Sequence, residues 1–68
     1  MHLVIITEQE VDGRWLAEIP VLPGVMTYGG SREDAISRVQ VLALQVIADR
    51  LEHGEMIPET ADFFAVVS

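Results

Sequence analysis

No other stretch limits the possible folds of this chain as much as Ser31 to Gly54, which carries the spacing of one amphipathic helix. Ser31 followed three residues later by Asp34 is a capping-box pattern, in which the hydroxyl accepts from a first-turn N–H and the carboxylate reaches back. Glu33 and Asp34 also stand where the positive end of the helix dipole favours anions. Ala35, Ile36, Val39, Leu42, Ala43, Val46 and Ile47 recur at the three- and four-residue spacing that stacks side chains on one face. Gly54 is a natural left-handed stop, and Pro58 beyond it prevents resumption. Arg38, Gln45, Asp49 and Glu52 make a narrow solvent stripe. Val41, Leu44 and Ala48 form a second apolar line roughly opposite the first, at about 100° per residue. A helix built this way needs a sheet on one side and some other cover on the second.

The second line matters because the chain is short. At 68 residues, folding buries only about 60% of the unfolded surface, and a lone core rarely supplies more than ~3–5 kcal/mol. The sequence has no cysteine, which excludes disulfides and thiolate zinc sites, and its two histidines, His2 and His53, are far apart. Association is the remaining way to gain buried area. The expectation is a homo-oligomer, most simply a dimer, with Val41, Leu44 and Ala48 at or near the contact. Eleven acidic residues against four arginines and no lysine give a formal net charge of -7. That balance argues against a sequence-independent grip on nucleic acid phosphates and suits a basic protein partner. No apolar run approaches the ~20 residues that span a bilayer, and Met1-His2-Leu3 has no basic segment ahead of its apolar residues. A cytoplasmic domain over residues 1–68 is expected, without repeats or a second domain.

Ahead of the helix, Leu3 to Thr7 is a β-branched run, and Asp12-Gly13 is the strongest short hairpin signal in the chain. Arg14 to Ile19 forms the returning strand. If Asp12 and Gly13 make a two-residue loop, Val11 faces Arg14, Thr7 lies opposite Glu18 and Ile5 lies opposite Pro20. Val4, Ile6, Trp15, Ala17 and Ile19 then share the face that covers the helix, while Thr7, Gln9, Arg14, Leu16 and Glu18 share the other. Pro20-Val21-Leu22-Pro23-Gly24 cannot continue a central strand, because its prolines lack a donor and push the residues before them to extended geometry. It reads as a corner. Val25 to Tyr28 is a short third strand, ended by Gly29-Gly30, and Asp62 to Val67 reads as a last strand after a polar linker. The predicted fold class is α+β in the order β-β-β-α-β. A right-handed crossover brings the fourth strand parallel to the first and leaves the third at an edge.

Candidates for chemistry are sparse. Ser31 is used as a cap, and neither Ser37 nor Ser68 has a histidine placed for it by spacing, so no nucleophilic site is expected. Asp49 and His53 are one helical turn apart with Glu55 near, but a single imidazole at a helix end is a poor metal site. Glu8, Asp49 and Asp62 come from the first strand, the helix and the last strand, and a carboxylate cluster of that kind could hold a divalent metal. Nothing in their spacing requires them to converge. No cofactor or metal is expected, and Gly29-Gly30 is too short for a phosphate loop without a lysine. Trp15 and Tyr28 are large aromatics with a polar handle, a type enriched at binding hot spots. Tyr28, at the end of an edge strand beside Pro23-Gly24, is the better placed for contact, because the register turns Trp15 inward.

Several linked pieces at matching spacing resemble the HicB-type antitoxin family: Asp12-Gly13, then Trp15-Leu16-Ala17-Glu18-Ile19-Pro20, then Leu22-Pro23-Gly24-Val25, Tyr28-Gly29-Gly30-Ser31, and Glu33-Asp34-Ala35-Ile36. The likeness runs from about Leu3 to Pro58. The chain differs from the family pattern at Gly30, Ser31 and Val21, with turn and cap chemistry retained. The resemblance implies a partial ribonuclease-H-like sheet with one helix packed on one face. It also implies a job without nuclease activity: binding and neutralising a small basic messenger-RNA-cleaving toxin of the HicA type. Longer relatives carry a carboxy-terminal operator-binding domain. The sequence stops at Ser68 without one, so no direct nucleic acid binding is expected. Partner contact is expected at Tyr28, Trp15, Pro23 and Gly24. Two other readings stand beside this one: an acidic homo-oligomeric interaction module with no toxin partner, and a divalent-metal nuclease built on Glu8, Asp49 and Asp62.

Overall fold

The computed structural model describes residues 3–55 and Val67. Three antiparallel strands, β1 (Ile6–Gln9), β2 (Trp15–Glu18) and β3 (Met26–Gly29), form a sheet in that spatial order, and one helix, α1 (Arg32–Glu52), lies across it, mainly over β3 and β2. This is the α+β arrangement expected, with β3 at an edge among the described residues. The expected fourth strand, Asp62 to Val67, lies outside the described residues apart from Val67.

α1 begins and ends as its sequence dictates. Ser31 caps it in extended geometry, and its Oγ accepts from the Asp34 amide at 3.0 Å. The Asp34 carboxylate reaches one residue further back than a capping box requires, accepting from the Gly30 amide at 3.1 Å. At the other end Gly54 takes φ 75°, its amide donates to the Leu51 carbonyl, and the Glu55 amide donates to the Arg50 carbonyl. Those two bonds are a Schellman stop. Between the caps Ala35, Val39, Ala43 and Ile47, every fourth residue, are buried, with Leu42 and Val46 packed beside them.

The first hairpin differs from expectation by one residue. Observed pairs are Ile6 with Glu18, Thr7 with Ala17, Glu8 with Leu16 and Gln9 with Trp15, so Thr7 does not face Glu18. The cause is the sign of φ. A two-residue loop of the favoured type needs positive φ at both central positions, and Gly13 has it, at 93°, while among the described residues none other than glycine does. Asp12 instead stays in ordinary geometry. The Gly13 amide donates to the Glu10 carbonyl at 3.0 Å and the Glu10 amide to the Arg14 carbonyl at 2.7 Å. This closes a three-residue loop, a tight turn followed by a glycine bulge. The slip exchanges the faces of β1 alone. Leu3, Ile5 and Thr7 turn toward the helix, and Val4 and Ile6, expected beneath it, are exposed on the opposite face. Trp15, Ala17 and Ile19 face the helix as expected.

The corner between β2 and β3 contributes more than a change of direction. Ile19 and Leu22 close one turn through Pro20-Val21, and Leu22 and Val25 close a second through Pro23-Gly24, with Gly24 at φ 83°. Proline followed by a positive-φ glycine is the signature of a type II turn. Between the two turns Leu22 drops into the core, where it and Val39 are the largest fully buried side chains among the described residues.

β3 and α1 approach closely. Thr27 Oγ1 donates to the Ala35 carbonyl at 3.1 Å. A Cβ at Gly29 would lie 2.5 Å from the Ala35 nitrogen and 2.9 Å from its Cα. Gly29 thus serves backbone proximity as well as the exit from the strand.

Candidate partner-binding face

The side of the sheet away from α1 has no cover among the described residues. Its pairing sets two rows of side chains across it: Ile6, Glu18 and Met26 in one, and Glu8, Leu16 and Tyr28 in the next. Ile6 and Met26 are each 48% exposed and Tyr28 is 45% exposed. Val4 continues the apolar surface beyond the first row. Alternation explains why one strand feeds both layers: residues of odd number in β1 and β2 point to the helix side, with Ala17 buried there, and those of even number line this face.

Charge is arranged unevenly over the face. Glu8 and Glu18 form no ion pair among the described residues, while the face's arginine, Arg14, is engaged. Its Nε donates to Asp12 Oδ2 at 2.8 Å, and its guanidinium lies 4.5 Å from the centroid of the Tyr28 ring. The Arg14 amide, with help from the guanidinium, holds the Asp12 carboxyl below its ordinary value of 3.8. Tyr28 therefore sits under the Arg14 cation at one end of β3, while two carboxylates with no ion pair among the described residues lie among the apolar residues.

The structure separates the residues grouped by sequence as contacts. Tyr28 lies on the open face, whereas Trp15 is half-buried on the helix side and packed against the core, with the sheet between them. Pro23 and Gly24 are exposed in the turn that leads into β3, and Met26 stands between that turn and Tyr28. Ile6, Leu16, Met26, Glu8 and Glu18 were not grouped with Tyr28 from the sequence. The signal that finds them is the hairpin register. Val41, Leu44 and Ala48 are all exposed on the outward side of α1.

Of the carboxylates weighed as a metal site, Glu8 is on the open face and Asp49 on the helix, with the sheet interposed; Asp62 lies outside the described residues. Among the described residues, no group of three or more His, Cys, Asp or Glu is placed to hold a metal ion. At the helix end the His53 Nδ1 lies 2.8 Å from the Asp49 carbonyl and 3.5 Å from its Oδ1, with both side chains largely in solvent. Among the described residues, no helix is long and apolar enough to cross a membrane.

Fold and face together define a small α+β protein whose sheet, among the described residues, is covered on one side and open, apolar and acidic on the other. Over 57 residues, the chain is 33% identical to the UPF0150 protein Ta0767 of Thermoplasma acidophilum, a match covering 84% of this chain and 81% of that protein. The chain belongs to the UPF0150 family, which is the HicB-like family. No family model and no solved structure matches it.

Proposed function

We propose that this chain is an antitoxin of the HicB type, a cytoplasmic binding module and not an enzyme, which neutralises a small basic toxin that cleaves messenger RNA. The observation that carries this reading is the open sheet face, where Ile6, Leu16, Met26 and Tyr28 surround carboxylates that have no ion partner among the described residues. A protein that holds RNA must present basic residues. A chain of net charge -7 approaches such a surface quickly through complementary fields and has little positive charge with which to compete for the RNA itself. Membership of the HicB-like family supports the same reading.

Specificity then comes from desolvated anchors. Tyr28 offers ring area on the open face, and β3 offers a backbone edge that carries no strand pairing on its outer side among the described residues. The test is titration of the chain against the small basic protein encoded beside it, following both affinity and RNA cleavage. Tyr28→Ala is expected to weaken binding by about 2 kcal/mol, roughly thirtyfold. Full neutralisation by a folded Tyr28→Ala protein would remove Tyr28 from the contact. Divalent-metal-dependent RNA cleavage by the chain alone, lost on Asp49→Asn, would replace the antitoxin reading with a nuclease.

A further inference from the structure

Among the described residues, the outward side of α1 is a second uncovered apolar surface, and its spacing is more specific than its exposure. Val41 is 56% exposed, Leu44 63% and Leu51 49%, with Ala48 exposed between the last two. Steps of three, four and three residues are those of the a and d positions in a coiled-coil seam. Leu51 extends the line recognised from the sequence by one turn. Arg38 and Glu52 flank the seam on the same side, separated by two heptads, so they occupy equivalent positions and carry opposite charge. A seam whose rim is basic at one end and acidic at the other complements itself when a second helix runs in the opposite direction. A twofold axis imposes that geometry, since residue i meets j wherever j meets i.

We propose that two copies of this chain pair through α1, antiparallel about a twofold axis. Val41 packs against Leu51 of the second copy, Leu44 against its Ala48, and Arg38 lies beside its Glu52. The large-to-small fit of Leu44 on Ala48 lets the helices approach at the centre. Arg38 already uses its Nε on Asp34 Oδ2 at 3.0 Å. Its terminal nitrogens have no hydrogen bond among the described residues, and neither does the Glu52 side chain, so the intermolecular pair adds to the existing one. From Val41 to Leu51 the seam runs about 15 Å at the helical rise per residue. That is short of a standard interface, so association in roughly the micromolar range is expected. The pairing leaves the open sheet face free.

The chain has no cysteine, so Val41→Cys and Leu51→Cys each introduce a single thiol. Mixed in equal amounts under mild oxidation, the two full-length variants are expected to form a disulfide-linked heterodimer. Neither cross-links alone, because like positions lie about 15 Å apart along antiparallel axes, beyond disulfide reach. Cross-linking of each variant alone would overturn the antiparallel arrangement. In sedimentation at about 50 µM, in the micromolar range just given, the wild type should be dimeric and Leu44→Asp monomeric. Glu52→Arg should weaken the dimer severalfold, and adding Arg38→Glu should restore it. A monomeric wild type at that concentration, or a double reversal no better than the single one, would overturn the pairing.

Discussion

On the helix side of the sheet Ala17, Ile19 and Val25 are buried, whereas on the other side Ile6, Met26 and Tyr28 stand about half exposed, although both sets come from the same sheet. Alternation supplies two apolar faces, and among the described residues α1 covers one. The covered face is tight at the level of backbone, with Gly29 against Ala35 and Thr27 bonded to the Ala35 carbonyl. The open face keeps charges that no neighbour neutralises among the described residues. The contrast teaches that alternation decides where apolar side chains stand, while the placement of α1 decides which of them are buried; in our proposal the open face is the one a partner covers.

The strongest way to break that comparison is to remove equal bulk from each side. Leu22→Ala leaves a cavity beneath the helix and is expected to cost about 2–5 kcal/mol, comparable to the ~3–5 kcal/mol a core of this size supplies. Urea melts should show it largely unfolded, while Met26→Ala on the open face changes stability by no more than ~0.5 kcal/mol. Equal losses would mean that the open face is closed in the folded protein.

A smaller effect tests the closeness of β3 and α1. Gly29→Ala forces a Cβ toward backbone atoms of Ala35 that no rotamer change can move, so the helix must lift, at about 1–3 kcal/mol. Gly30→Ala meets nothing within 4 Å and should leave the urea midpoint nearly unchanged. Similar shifts for both variants would show that the two layers are looser than the geometry requires.

The smallest effect concerns pH. The Gly30 amide, and then Arg38, hold the Asp34 carboxyl below its ordinary value of 3.8. A carboxyl with a depressed folded pKa stabilises the fold above its unfolded pKa, and that contribution disappears as pH falls through the folded value. Thermal melts should therefore lose stability below about pH 4, the ordinary carboxylate range. Asp34→Asn should flatten part of that loss while leaving the open face unchanged. An identical acid slope in the variant would remove Asp34 as a source.

Much of this architecture was legible in the sequence because it depends on short-range rules. Ser31 before an acidic first turn, a ladder at every fourth residue and Gly54 after the last turn specify α1, its core face and its stop from local spacing alone. Glycine and proline likewise marked both turns, and the second apolar stripe on α1 was visible by helical arithmetic. Tyr28 was singled out at a strand edge, but its neighbours on the candidate face were not, since which residues surround it depends on register.

The sequence by itself determined the helix, the positions of the turns and the alternation in each strand, since periodicity and φ preferences act over a few residues. Only the tertiary structure decided which alternate of β1 faces the core. That choice came with a loop one residue longer, in which Asp12 stays out of positive φ, and it placed Val4 and Ile6 on the open face. The burial of Leu22 and the steric need for Gly29 were decided there as well. Both depend on how closely α1 descends onto the sheet, a distance set by the packing of all the layers together.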